Sequence, residues 1–191
     1  MSNNFADSSI NHLVNSDEPL MSWKLANHIT VAIPSNAEVV ILCIGSDRST
    51  GDSLGPLTGT LLNKRHLRRV SVYGTLDHPV HAKNLNEQID YINSQYQNPF
   101  IIAVDAALGS LKRVKQIEIG NGPLKPGTAL ERKTEPVGDY FIKGYVNTGG
   151  YLNFNVLQST RLKTVMDMAE GVAKSLWVVD FRLAKKTIIN A

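Results

Sequence analysis

The chain has 191 residues, with 20 Lys and Arg against 17 Asp and Glu, a formal charge of +3 and a pI near 9.0. An apolar share of 42% with 19% charged residues supports a packed core and excludes a disordered or fibrous chain. No run approaches the ~18 apolar residues of a membrane span, the start MSNNFADSS lacks a signal peptide's regions, and a lone cysteine excludes an internal disulfide, so a cytoplasmic setting is expected.

Residues 1–35 are polar apart from Trp23, Leu25 and Ile29 at near-helical spacing. They read as a helical lead-in to a single α/β domain over 36–191. After Pro34-Ser35-Asn36, the run AEVVILCIG is apolar throughout, as in a central strand covered on both faces. Cys43 lies inside it and reads as a buried small hydrophobe. GSDRSTGDSLGP follows, and then Leu54, Leu57, Leu61 and Leu62 recur with helical period. That helix ends in Lys64-Arg65-His66-Leu67-Arg68-Arg69, which reads as a solvated, dipole-complementing terminus. A nucleic-acid partner is therefore not expected.

RVSVYGT reads as a second strand and residues 81–96 as a helix with Leu85, Ile89 and Ile92 inward. FIIAVDAALG is another buried strand, with Asp105 expected at its end. Residues 114–119 alternate as a strand at the sheet margin, and 120–138 read mostly as loop. Residues 141–146 suggest a last strand and 149–171 one helix, while SLWVVDFRLAKK fits either strand or helix. Alternating strands and helices predict a three-layer α/β/α fold with a mostly parallel sheet. Ligands in such folds bind beyond the carboxyl ends of the strands.

The loop at residues 45–56 falls at such an end, and so does Asp105. Its glycines permit sharp turns, and its amides at a helix start suit an anion. It matches neither G-x-x-x-x-G-K-[ST] nor G-x-G-x-x-G, so the nucleotide fingerprints fail. Asp52 and Asp105 on neighbouring strands would face each other across one cleft. Held close, they would raise one pKa and supply an acid and a base together, or hold a divalent ion. Each equally suits capping or turn chemistry. Ser46, Asp47, Arg48 and Thr50 in the loop, and His78 and His81 in LDHPVHA, are candidate substrate contacts, as are Asn147 and Gly149 in VNTGG. Ser, Thr, Asn and Gly at these places also form ordinary turns.

GSDRSTGDSLGP, VYGTLDHPVHA, NPFIIAVDAALG, GPLKPG and VNTGGYLNFNVLQSTRL follow one another as in the YyaC-like sporulation proteins of endospore formers. That family resembles the spore germination protease and the hydrogenase maturation proteases. The resemblance implies a phosphorylase/hydrolase-like α/β fold and a protease-like hydrolase in a spore or mother-cell compartment. It implies a protein or peptide substrate, spore proteins among the candidates. Asp52 in GDSLGP and Asp105 in IIAVDAA take the places of the germination protease's two catalytic aspartates. In the maturation proteases the first place is a nickel-binding acid. Their loop Gly-Asn is Gly45-Ser46 here, and their metal-binding histidine has no match in VNTGGYLNF. No metal and no other cofactor is expected. An inactive scaffold of the same fold, or a small-anion or metal binder, is the alternative.

Overall fold

A computed structural model describes residues 11–127 and 134–189. Its elements in chain order are β1 (His12–Asn15), α1 (Met21–Ala32), β2 (Val39–Cys43), α2 (Leu54–Asn63), β3 (Val70–Tyr73), α3 (Leu85–Gln95), β4 (Phe100–Gly109), β5 (Gln116–Asn121), β6 (Tyr140–Thr148), α4 (Asn153–Gln158) and α5 (Leu162–Ile189). Six strands form one sheet in the order β1-β5-β6-β4-β2-β3. β3, β2, β4 and β6 run parallel, whereas β5 pairs antiparallel with β6 and β1 antiparallel with β5. The fold is α/β, with a mixed and mostly parallel sheet.

The parallel strands are apolar on both faces because both faces are covered. On one side Ile41, Cys43, Ile102, Val104 and Ile142 pack beneath α1, α2 and α5. On the other, Val40, Leu42, Ile101 and Ala103 meet Leu85 and Ile92 of α3 and the Leu124–Val137 bridge. Fully burying one such Leu, Ile or Val is worth roughly 1.5–3 kcal/mol. Cys43 is wholly buried, and burial pushes its thiol far up, which leaves no reactive thiolate.

The structure settles one open reading and corrects two. SLWVVDFRLAKK is helical: Val165, Met168, Val172, Leu176 and Val179 are fully or almost fully buried at helical spacing along α5. Residues 149–171 hold two helices rather than one. α4 stops where the Ser159 and Thr160 hydroxyls donate back to the carbonyls of Asn155 and Val156, bonds that compete with helix continuation. The lead-in carries, besides its helix, the strand β1, which makes the antiparallel edge.

Candidate functional site

The loop after β2 is built by close backbone approach. Helix α2 lies so near the end of β2 that a Cβ on Gly55 would stand 2.1 Å from the Ile44 carbonyl oxygen. Only glycine allows that approach. Gly45 has φ +141°, and a Cβ there would meet the Asp52 carbonyl oxygen at 2.0 Å. The Gly45 N–H donates to Val80 O at 2.8 Å and the Ser46 N–H to Asp52 O at 3.1 Å. The loop thus returns on itself and delivers Asp52 in a 3-10 turn, Gly51–Ser53.

Asp52 is not the N-cap of that turn or of α2. Those places belong to Thr50 and Ser53, and neither makes a side-chain capping bond. Thr50 instead accepts, through its carbonyl, both the N–H and the hydroxyl of Ser53, at 3.3 and 2.6 Å.

Asp105 departs from expectation in one respect. It does not end its strand, because β4 continues to Gly109. The last register pair between β2 and β4 is Cys43 with Val104. Asp105 is therefore the first residue of β4 beyond its shorter neighbour, just where the loop crosses. It is 4% exposed. Its Oδ1 accepts the Ala106 N–H at 2.8 Å and its Oδ2 accepts the Gly127 N–H at 3.2 Å. Burial first, and then the charge of Asp52, pushes its carboxyl up to about 8, against the pull of those two N–H groups and of Lys143. Asp52 thus lies close enough for its charge to be felt, and at neutral pH Asp105 is mostly protonated.

Lys143 stands opposite Asp105 in the β4–β6 register and opposite Glu118 in the β5–β6 register. Glu118 accepts from Asn11 Nδ2 at 2.8 Å, from Arg113 at 3.0 Å and from the Tyr145 hydroxyl. A row of alternating charge thus leads across the sheet to Asp105.

The other expected contacts spread around this centre. The Ser46 hydroxyl accepts the Arg48 N–H at 3.2 Å, and Asp47 and Arg48 are exposed. His81 follows Val80 at the lip of the loop, with its Nδ1 buried and unpartnered. His78 turns away to a cavity of about 550 Å³ lined also by Asn63, Tyr73 and Tyr91. Asn147 Nδ2 donates to Thr160 Oγ1 at 3.2 Å, and that hydroxyl would stand 3.0 Å from a Cβ on Gly51. Asn147 therefore braces the end of β6 against the loop. Gly149 ties the ends of β6 and β4 together by donating to Gly109 O at 2.8 Å. Past these ends, Leu111, Tyr151, Leu152 and Phe154 are exposed.

Sequence reasoning missed Lys143 and Gly127. A lysine inside the apolar run FIKGYV was the available signal for the first, and the GPLKPG turn for the second. Among the described residues, no group of three or more His, Cys, Asp or Glu side chains is placed to hold a metal ion. Two carboxylates alone do not make the donor set of a nickel centre. No helix among the described residues is long and apolar enough to cross a membrane.

Comparison with known proteins places this geometry among relatives. The family described as "Protein of unknown function (DUF1256)" matches residues 13–175. "Uncharacterized protein YyaC" of Bacillus subtilis (strain 168) is 51% identical over 142 residues, which is 74% of this chain and 69% of the relative. Among solved structures, a [NiFe] hydrogenase maturation protease, HycI from Thermococcus kodakarensis KOD1, superposes with a TM-score of 0.51 at 15% identity. The match covers 80% of this chain and 97% of that one. That likeness establishes a shared fold.

Proposed function

The chain belongs to the DUF1256 family, and we propose that it is a hydrolase that cuts peptide bonds with Asp52 and Asp105 as an acid–base pair. One observation carries the reading: a buried carboxyl, raised to about 8 by burial and by the charge of a second aspartate, at the carboxyl end of a parallel sheet. Structural acids are normally settled by cations or caps. Here the proton is held on Asp105 by burial and by the charge of Asp52.

In the reaction, ionised Asp52 takes a proton from water as the water oxygen attacks the scissile carbonyl. Protonated Asp105 then gives its proton to the departing amide nitrogen. Lys143 and the two backbone N–H groups hold the Asp105 carboxyl as its charge develops. Arg48, exposed on the loop, steers an acidic or carbonyl-bearing segment toward the pair. The sporulation resemblance supports spore proteins as substrates and a cytoplasmic spore or mother-cell compartment as the place of action.

The test is cleavage of candidate spore proteins, read by mass spectrometry, with Asp52→Asn and Asp105→Asn compared to the native chain. Each change is expected to lower turnover by about 100-fold or more without loss of fold. The exposed rim of Leu111, Tyr151, Leu152 and Phe154 favours one rival, a scaffold that docks a protein segment without cutting it. Full complementation of a deletion strain by both Asn variants would establish that rival.

A further inference from the structure

The basic run closing α2 gains a partner in the fold. Arg68 and Arg69 lead directly into β3, at the amino ends of the parallel strands and so at the pole opposite Asp105. The C-terminal half of α5 ends at the same pole. A small depression lined by Arg69 and Lys186 also includes Ser35 and Asn36, just ahead of β2. Lys64, Arg65, Arg68 and Arg69 of the first segment thus join Lys174, Arg182, Lys185 and Lys186 of α5 on one face. None of these cations is in an ion pair among the described residues. Asp180, an acid next to Arg65 and Arg68, is 1% exposed and taken up by the backbone N–H groups of Arg68, Arg69 and Val70. Glu18, Asp167 and Glu170 line an adjoining groove that also takes in Arg65 and Lys174, so the basic face is bounded by acids on that side.

Aromatic rings sit among these cations. Trp177 is 37% and Phe181 53% exposed, and with Lys174 and Lys185 they make one helical stripe. The Arg65 guanidinium lies over the Trp177 ring at 5.1 Å, and that of Arg182 over Trp23 at 5.5 Å. Between the end of α2 and α5 there is a depression of about 360 Å³ lined by Arg65, His66, Arg68, Trp177, Asp180 and Phe181.

We propose that this face binds single-stranded nucleic acid, with phosphates on the guanidinium and ammonium groups and bases stacked on Trp177 and Phe181. Unpaired cations in such number fit a polyanion. Rings edging a recess flanked by arginines fit a flat base, because stacking platforms beside a cationic track are how single strands are held. A membrane surface would call for a broad apolar helix face to bury among lipid headgroups, whereas here two rings stand among cations. Lys64–Arg69 alone reads as a solvated helix end, and it is the apposition of α5 that makes a binding face. Because the face lies opposite Asp105, a tethered protein keeps its other pole open, and the inference does not depend on the hydrolase reading.

Fluorescence anisotropy of a labelled oligo-dT about twenty nucleotides long, titrated with the intact chain, tests it. Binding is expected at about 50 mM salt, weakening with a log–log slope of roughly −3 to −4 if four to six phosphates are engaged. The pair Arg65→Glu/Arg68→Glu should lose at least tenfold in affinity, and Trp177→Leu and Phe181→Ala several-fold each. Lys185→Glu/Lys186→Glu supplies a second charge variant should the first fail to fold. Lys83→Glu/Lys112→Glu, an equal charge change near the other pole, should bind as the native chain does. Absence of binding at low salt, or equal loss in that control pair, would overturn the proposal. So would binding to phosphatidylglycerol-containing vesicles without binding to the oligonucleotide.

Discussion

The backbone N–H of Ser46 donates to the carbonyl oxygen of Asp52 at 3.1 Å, so the residue whose charge reaches Asp105 also closes the loop that carries it. Loop shape and acid position are therefore one variable. Gly45→Ala would place a Cβ 2.0 Å from that same oxygen, at a φ of +141° that side chains rarely adopt. The expected outcome is a stability loss of roughly 2–4 kcal/mol and loss of any activity that depends on Asp52. Urea denaturation and a cleavage assay on the same preparation check both.

A second prediction concerns Asp105 and pH. Its carboxyl is raised to about 8, chiefly by burial, so the native state holds this proton over a range where the unfolded chain has released it. The native state then binds more protons than the unfolded state between about 4 and 8, and stability falls as pH rises through that window. Asp105→Asn removes the cost. Its melting temperature should match the native chain near pH 4 and exceed it at pH 8 to 9, by roughly 2–4 °C for each kcal/mol relieved. A variant less stable than the native chain at high pH would show that the ionised carboxylate is held favourably.

Under the proposed reaction, the same proton would set the alkaline limb of the rate profile. If Asp105 is the general acid, kcat/KM on any cleaved peptide falls above about pH 8, because the leaving nitrogen then lacks a donor. Lys143→Met removes a charge that pulls the Asp105 carboxyl down, so the limb should move to higher pH. A limb that stays fixed would separate Lys143 from the pair.

Far from the cleft, Asp180 holds the N–H groups of Arg68, Arg69 and Val70 at 3.1, 2.7 and 3.0 Å. Asp180→Ala leaves three donors without their acceptor, one of them, the Val70 N–H, in a buried place. A loss of about 3 kcal/mol or more is expected, with Asp180→Asn intermediate because it keeps one acceptor oxygen. Thermal melting of the two variants side by side checks the order.

What was legible in the sequence was what depends on short-range pattern. AEVVILCIG and FIIAVDAALG announce buried parallel strands because both of their faces are apolar. GSDRSTGDSLGP announces a tight loop because its glycines permit the close backbone approach found at Gly45 and Gly55. HLVN was not legible, since four residues are too few to show alternation and its partner β5 lies about a hundred residues away. The break between α4 and α5 was hidden because apolar residues lie at helical spacing on both sides of it, and Ser159–Arg161 carries no glycine or proline to mark it. Lys143 and Gly127 reach Asp105 through strand register and a returning loop, and neither is written in local sequence. The joining of Lys64–Arg69 to α5 is likewise a matter of packing.

The strand β1 has a consequence for what the chain does when trimmed. His12–Asn15 covers the outer rim of β5 along Gln116–Ile119. A cut ahead of Ser16 would uncover a row of backbone donors and acceptors flanked by Ile117 and Ile119, both fully buried in the intact fold. An unprotected border of that kind recruits whatever strand comes next, another copy of the same chain included. The four-residue edge strand β1 thus shields the longer rim of β5, and a nick there is expected to leave that rim open to edge-to-edge self-association.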